Sequence, residues 1–163
     1  MFKNLLKRSS SKLQIKAPIT GEILPLEKVP DPVFSQKMMG EGIAIIPKEE
    51  NIVAPVEGTI IQIAPSKHAI GLKAKDGMEL LIHVGLETVS LKGEGFKVLV
   101  NEGDHVSVGD KLMVVDLDYI RNKVQHIITP VVITNSNQSS NQYYPTAETE
   151  CQAGKTSILT VDQ

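Results

Sequence analysis

Short apolar runs, each broken by glycine, proline, asparagine or aspartate, dominate this chain. Gly42–Ile46, Thr59–Ile63, His68–Ala74, Glu79–Val84, Phe96–Val100, Lys111–Val115 and Val131–Thr134 are rich in branched aliphatic side chains and too short for helices. One stretch departs from this pattern. Across Asp116–Gln125, Leu117, Ile120 and Val124 recur at helical spacing, and Asp116 stands where an N-cap belongs. The polar, tyrosine-bearing segment Asn135–Pro145 reads as a loop before a final strand. Turn signals every roughly 8–12 residues predict an all-β fold, an antiparallel sandwich or barrel.

One strand-turn unit occurs twice. Ala17-Pro18-Ile19-Thr20-Gly21-Glu22-Ile23 is echoed by Ala54-Pro55-Val56-Glu57-Gly58-Thr59-Ile60. Both place a proline at the start and a glycine before the β-branched run, which predicts an internal duplication.

Two histidines stand out against this frame. His83 sits in the apolar run Leu80–Val84 and is followed by Gly85; His68 lies upstream in Ser66-Lys67-His68-Ala69-Ile70-Gly71. Between them, Asp76-Gly77 is a strong hairpin signal. With a two-residue turn there, Ile70 faces His83 and His68 faces Gly85. The histidines then become diagonal neighbours on one sheet face, about 7–8 Å apart at the backbone. An odd-length turn would place them on opposite faces. Two converging imidazoles suit metal binding, proton shuttling or a phosphoryl group carried on nitrogen. Leu81 shares the His83 face by strand alternation.

Composition narrows the class. At 163 residues and 41% hydrophobic content, the chain is long enough for one domain with a proper core. A net charge of -2, no tryptophan and 4% aromatic content argue against nucleic-acid binding. The one cysteine, Cys151, excludes an internal disulfide and a cysteine zinc cluster. No run is long enough to span a bilayer and no secretory segment follows the start, so a cytoplasmic location is expected. Residues 1–12 carry Lys3, Lys7, Arg8 and Lys12, with Phe2, Leu5 and Leu6 at helical spacing. Residues 1–14 thus read as a flexible basic segment that would at most make weak contact with anionic lipid.

Residues 77–89 carry the most specific signal. They run glycine, two free positions, three bulky apolar residues, His83, an apolar residue, Gly85, an apolar residue, one free position, Thr88 and Val89. This run resembles the active-site signature of the glucose-type enzyme IIA (EIIA, type 1) domain of the bacterial phosphoenolpyruvate-dependent sugar phosphotransferase system. The resemblance extends through Val29–Phe34, Gly40–Ile45, Lys67–Gly71, Leu91–Phe96 and a last strand within Ala153–Val161. It implies one such domain over residues 15–163, folded as a duplicated antiparallel β-sandwich with at most one or two short helices.

The resemblance also implies roles. His83 would take a phosphoryl group on Nε2 from phospho-HPr and pass it to a cysteine of enzyme IIB, for sugar uptake and phosphorylation. His68 would hold the phosphoryl oxygens. Ser66, where the family often carries threonine, would orient His68. Val33, Phe34, Met38, Met39, Ile43 and Leu81 would form an apolar docking patch, with Asp31 facing basic residues of HPr. Glu87 replaces the more usual aspartate, and Gly85 and Gly95 would let a partner backbone approach. No cofactor is required for transfer. His68 and His83 would bind zinc only with a carboxylate from a docked partner. Two rivals are weaker. A biotinyl or lipoyl carrier needs an exposed hairpin lysine, for which Lys37-Met38 is a poor copy. A zinc hydrolase needs a third protein ligand. His105 and His126 read as structural or surface residues.

Overall fold

The computed structural model describes residues 12–163. The chain runs β1 (Lys12–Lys16), β2 (Gly21–Pro25), a 3-10 turn (Leu26–Lys28) and the one-turn helix α1 (Pro32–Ser35). Next come β3 (Glu41–Pro47), β4 (Asn51–Val53), β5 (Gly58–Ile63), β6 (Ala69–Ala74) and β7 (Glu79–His83). A 3-10 turn (Thr88–Leu91) leads to β8 (Phe96–Val98), β9 (His105–Val106), β10 (Lys111–Val115) and helix α2 (Leu117–Lys123). The remainder is β11 (Thr129–Ile133), a 3-10 turn (Ser136–Gln138), β12 (Gln142–Pro145), β13 (Glu150–Cys151) and β14 (Ser157–Asp162). Asp116 caps α2, accepting from the Tyr119 amide at 3.0 Å. The segment 135–145 is more ordered than its polarity suggests, because β12 pairs with β14. Strand β1 also pairs with β14, so residues 12–14 belong to the sheet and not to a flexible segment. Residues 1–11, with most of the basic segment, lie outside the described residues.

All pairings are antiparallel. One sheet has the order β13-β2-β3-β11-β7-β6-β5-β9; two three-stranded sheets have the orders β1-β14-β12 and β4-β10-β8. The duplication is visible in reciprocal hydrogen bonds. The Lys16 amide donates to the Pro55 carbonyl at 3.0 Å, and the Val53 amide donates to the Pro18 carbonyl at 2.8 Å. Ala17 and Ala54 donate to Thr156 and Asp110, while their own carbonyls accept from Gly154 and Gly109. A pseudo-twofold axis therefore passes between β7 and β11, where Ile82 pairs with Val131. Following the pairings outward, Val132 occupies the position equivalent to His83 and Glu41 the position equivalent to His68. The repeat builds the frame twice and the histidine pair once.

The main core lies between the large sheet and the two small ones, and includes Ile15, Ile45, Ile52, Ile60, Leu72, Leu80, Ile82 and Leu112. Each such side chain contributes about 1.5–3 kcal/mol by leaving water. A second, smaller cluster sits on the other face of the large sheet. There Leu26, Val29 and Phe34, from the segment around α1, cover Ala44, Leu86, Ile128 and Val132. That cover is what gives β7 an apolar neighbourhood on its outer face.

Candidate functional site

The β6–β7 turn is not the two-residue loop that Asp76-Gly77 suggests. The Ala74 amide donates to the Met78 carbonyl at 2.8 Å and the Gly77 amide to the Ala74 carbonyl at 3.0 Å. The loop is therefore Lys75-Asp76-Gly77, closed by Gly77 at φ 95°. The register shifts by one, so that Ala69 and not Ile70 faces His83. Strict alternation would then separate the histidines. They meet because His68 precedes the first residue of β6: the left-handed Lys67 (φ 61°) breaks the strand and re-aims the next side chain. The His68 and His83 ring centroids lie 4.8 Å apart, edge to face at 82°. A 2.7 Å bond from the Val84 amide to the His68 carbonyl ties the two segments together.

His83 ends β7 with its ring between His68 and Phe34, whose centroid is 5.3 Å away. Its Nδ1 lies 2.9 Å from the Gly85 carbonyl oxygen. A carbonyl only accepts, so Nδ1 carries the proton and Nε2 keeps its lone pair. Burial is the main cause holding the His83 pKa below the usual imidazole value, followed by the neighbouring His68. The Gly85 carbonyl and Asp31 oppose that shift. Burial also lowers the pKa of His68, against the pull of the Ser66 main chain. Both rings are thereby kept neutral at neutral pH. His68 is buried, and its Nδ1 has no partner within hydrogen-bond geometry among the described residues. Among the described residues the Ser66 hydroxyl makes no hydrogen bond to the ring; the influence of Ser66 on His68 comes from its main chain.

Both glycines expected to admit a partner are also required by the chain's own packing. Gly85 adopts φ 74°, and a Cβ there would stand 2.6 Å from Thr88 Cγ2 and 3.2 Å from the His126 carbonyl. A Cβ on Gly95 would stand 3.0 Å from the Tyr119 ring and 3.1 Å from Ile120, beneath α2.

The expected apolar patch divides. Ile43 and Phe34 are both buried, Ile43 because β3 turns it into the main core and Phe34 because the α1 segment folds down onto the other face of the sheet. Val33 and Met38 are exposed, at 38% and 68%, while Met39 and Leu81 are half-buried. Val89, 57% exposed and missed in the sequence, stands near exposed Glu87. Its apolar character alone could not show on which side of the 3-10 turn it would fall. Asp31 caps α1, its Oδ1 accepting from the Val33 amide at 3.0 Å. Thr88, in the signature but given no role, is fully buried and donates to the Val84 carbonyl at 2.6 Å.

Other candidates are placed elsewhere. His105 lies exposed on β9 against Glu57, at 3.1 Å. The His126 carbonyl accepts from the Leu86 amide. Cys151 is buried, and burial raises its thiol pKa. Lys37 pairs with Glu41 at 3.2 Å and Glu27 at 3.5 Å, unlike the free tip a carrier lysine needs. Among the described residues no three histidine, cysteine, aspartate or glutamate side chains come together as a metal site. Nor does any helix among them have the length and apolarity to cross a membrane.

Known proteins resemble this chain in sequence and fold. The family model described as phosphoenolpyruvate-dependent sugar phosphotransferase system, EIIA 1, matches residues 13–139. The chain is 51% identical over 144 residues to the PTS system glucose-specific EIIA component of Staphylococcus epidermidis, covering 86% of this chain and 87% of that one. It is 51% identical over 147 residues to the component of that name from Halalkalibacterium halodurans, covering 90% and 84%. The solved structure of glucose permease IIA from Mycoplasma capricolum superposes with a TM-score of 0.83 at 37% identity, covering 92% of this chain and 96% of that one. The chain belongs to the EIIA 1 family of the phosphoenolpyruvate-dependent sugar phosphotransferase system.

Proposed function

We propose that this chain is the cytoplasmic EIIA carrier of a sugar phosphotransferase system, with His83 Nε2 as its phosphoryl acceptor. The observation that carries this reading is the Nδ1 bond of His83 to the Gly85 carbonyl, which leaves Nε2 as the free nucleophile beside His68. In the first half-reaction, the Nε2 lone pair attacks the phosphorus of phospho-HPr. The new N–P bond forms as the donor's N–P bond breaks, and its electron pair returns to the donor imidazole. In the second, a thiolate of enzyme IIB attacks the same phosphorus and His83 recovers its lone pair as the neutral ring. Such transfer asks for positioning and charge stabilisation more than for covalent help. His68 donates to the phosphoryl oxygens, and exposed Val33, Met38 and the half-buried Leu81 receive the partners, with Asp31 and Glu87 as the acidic rim. The relatives named as glucose-specific support glucose as the sugar served.

No cofactor enters these steps. The histidine pair offers two neutral imidazoles, half of a tetrahedral zinc shell, so a zinc ion here would need a carboxylate from a docked partner. The test of the function is reconstitution with phosphoenolpyruvate, enzyme I and HPr. The chain should acquire one acid-labile phosphate, lost in His83→Ala; a stably phosphorylated His83→Ala would refute the assignment.

A further inference from the structure

Two consecutive peptide planes follow His83, and each is held from outside. The plane joining Gly85 to Leu86 carries both the carbonyl that accepts from His83 Nδ1 at 2.9 Å and the amide that donates to the His126 carbonyl at 3.0 Å. The plane before it, joining Val84 to Gly85, is held by Thr88, whose Oγ1 donates to the Val84 carbonyl at 2.6 Å. The Thr88 methyl also stands 2.6 Å from where a Cβ on Gly85 would be, so it packs closely against the glycine. Thr88 is fully buried, so neither contact is exchanged for water. Because a peptide unit is planar, holding these two planes fixes the Gly85 dihedrals between them, and with them the aim of its carbonyl. At φ 74° those dihedrals lie in a region that glycine enters without penalty, so nothing intrinsic to Gly85 would keep them there.

We propose that Thr88 is a positioning residue for phosphoryl transfer: its hydroxyl and methyl hold the Val84–Leu86 turn so that the Gly85 carbonyl keeps the His83 proton on Nδ1. The proposal rests on the reading of His83 as acceptor. Released from Thr88, the turn lets the Gly85 carbonyl swing away, and the ring proton then partitions between Nδ1 and Nε2. Molecules with the proton on Nε2 have no lone pair there to attack phosphorus.

The test is nitrogen-15 NMR of labelled histidine in the full chain, with Thr88→Ser, Thr88→Cys and Thr88→Val, alongside single-turnover phosphorylation by phospho-HPr. Thr88→Ser keeps the donor, and should keep the Nδ1-protonated pattern of His83 and the wild-type rate. Thr88→Val keeps the shape and removes the donor. It should average the two His83 nitrogen shifts and slow acceptance about tenfold, as expected for one lost buried hydrogen bond. A Thr88→Val protein that melts earlier but retains the wild-type tautomer and rate would overturn the proposal, leaving Thr88 a structural residue only. Should the valine variant not fold, the weaker thiol donor of Thr88→Cys should give intermediate shifts; shifts identical to those of Thr88→Ser would overturn it equally. Phosphorylation of His83→Ala would refute the acceptor reading instead, and the tautomer comparison reads the hold of Thr88 on the ring independently of that result.

Discussion

At the scale of single residues, the site depends on two imidazoles that share a neutral state for one main reason, burial. Their hydrogen bonds differ: His83 Nδ1 is anchored to a carbonyl, while His68 Nδ1 has no such anchor among the described residues. A ring not committed to one tautomer can move a proton as charge leaves its neighbour. His68→Gln keeps a donor but cannot be protonated. It should therefore accept phosphate from HPr at close to the wild-type rate and pass it poorly to enzyme IIB, as read by separate single-turnover half-reactions. Equal losses in both would show that His68 serves only to orient His83. The lowered pKa values also set a pH dependence. In the unfolded chain both rings titrate near the ordinary value of about 6.5, above their folded values. The unfolded state thus binds more protons in that window, so their contribution to stability is present above about pH 6.5 and is lost as pH falls through the folded values. Urea midpoints should fall on acidification from pH about 7.5 to 5, and His83→Ala should flatten that fall; an unchanged slope would contradict it.

At the scale of elements, the pairing of His68 with His83 is a product of strand ends more than of strand faces. The sequence locates β6 and β7 to within a residue at each end, since branched aliphatic runs between turn residues leave little choice. It also locates α2 and its Asp116 cap. It does not locate the register, because Asp-Gly closes two-residue and three-residue hairpins alike. Nor does it show that Lys67 takes a left-handed conformation, since no glycine marks the spot. Phe34 and Ile43 read as docking residues for a similar reason: the burial of Phe34 is decided by how the α1 segment lies on the sheet and that of Ile43 by which face of β3 meets the main core, and local pattern encodes neither. The two positive-φ glycines of this region make a test. A Cβ on Gly77 meets nothing within 4 Å, so Gly77→Ala should cost only backbone strain, about 1 kcal/mol, and leave phosphoryl acceptance intact. Gly85→Ala adds the clash with Thr88 to the same strain, and should lose acceptance as well as more stability. Equal behaviour in thermal melts and transfer assays would show that the turn after His83 has no special standing.

At the scale of the whole molecule, the duplicated frame sets the histidine site in one half only. The repeat gives two equivalent halves of the large sheet, and the positions matching His83 and His68 in the other half are held by Val132 and Glu41. Val132 is buried in the smaller cluster, while His83 is half-buried and so leaves its side of that cluster partly open to solvent. Leu81 lies on the open side, half-buried beside the cluster. Leu81→Asp should cost about 1–2 kcal/mol in folding, because only part of the side chain leaves water, yet should weaken transfer at limiting HPr far more. Unchanged kinetics there would move the docking surface elsewhere. The central claim is narrower than any of these and is tested most directly by locating the phosphate. After reaction with phosphoenolpyruvate, enzyme I and HPr, phosphorus-31 and nitrogen-15 spectra of the chain should show a single phosphoramidate at Nε2 of His83 with Nδ1 still protonated. A phosphate on Nδ1, on His68 or on any other residue would contradict the account.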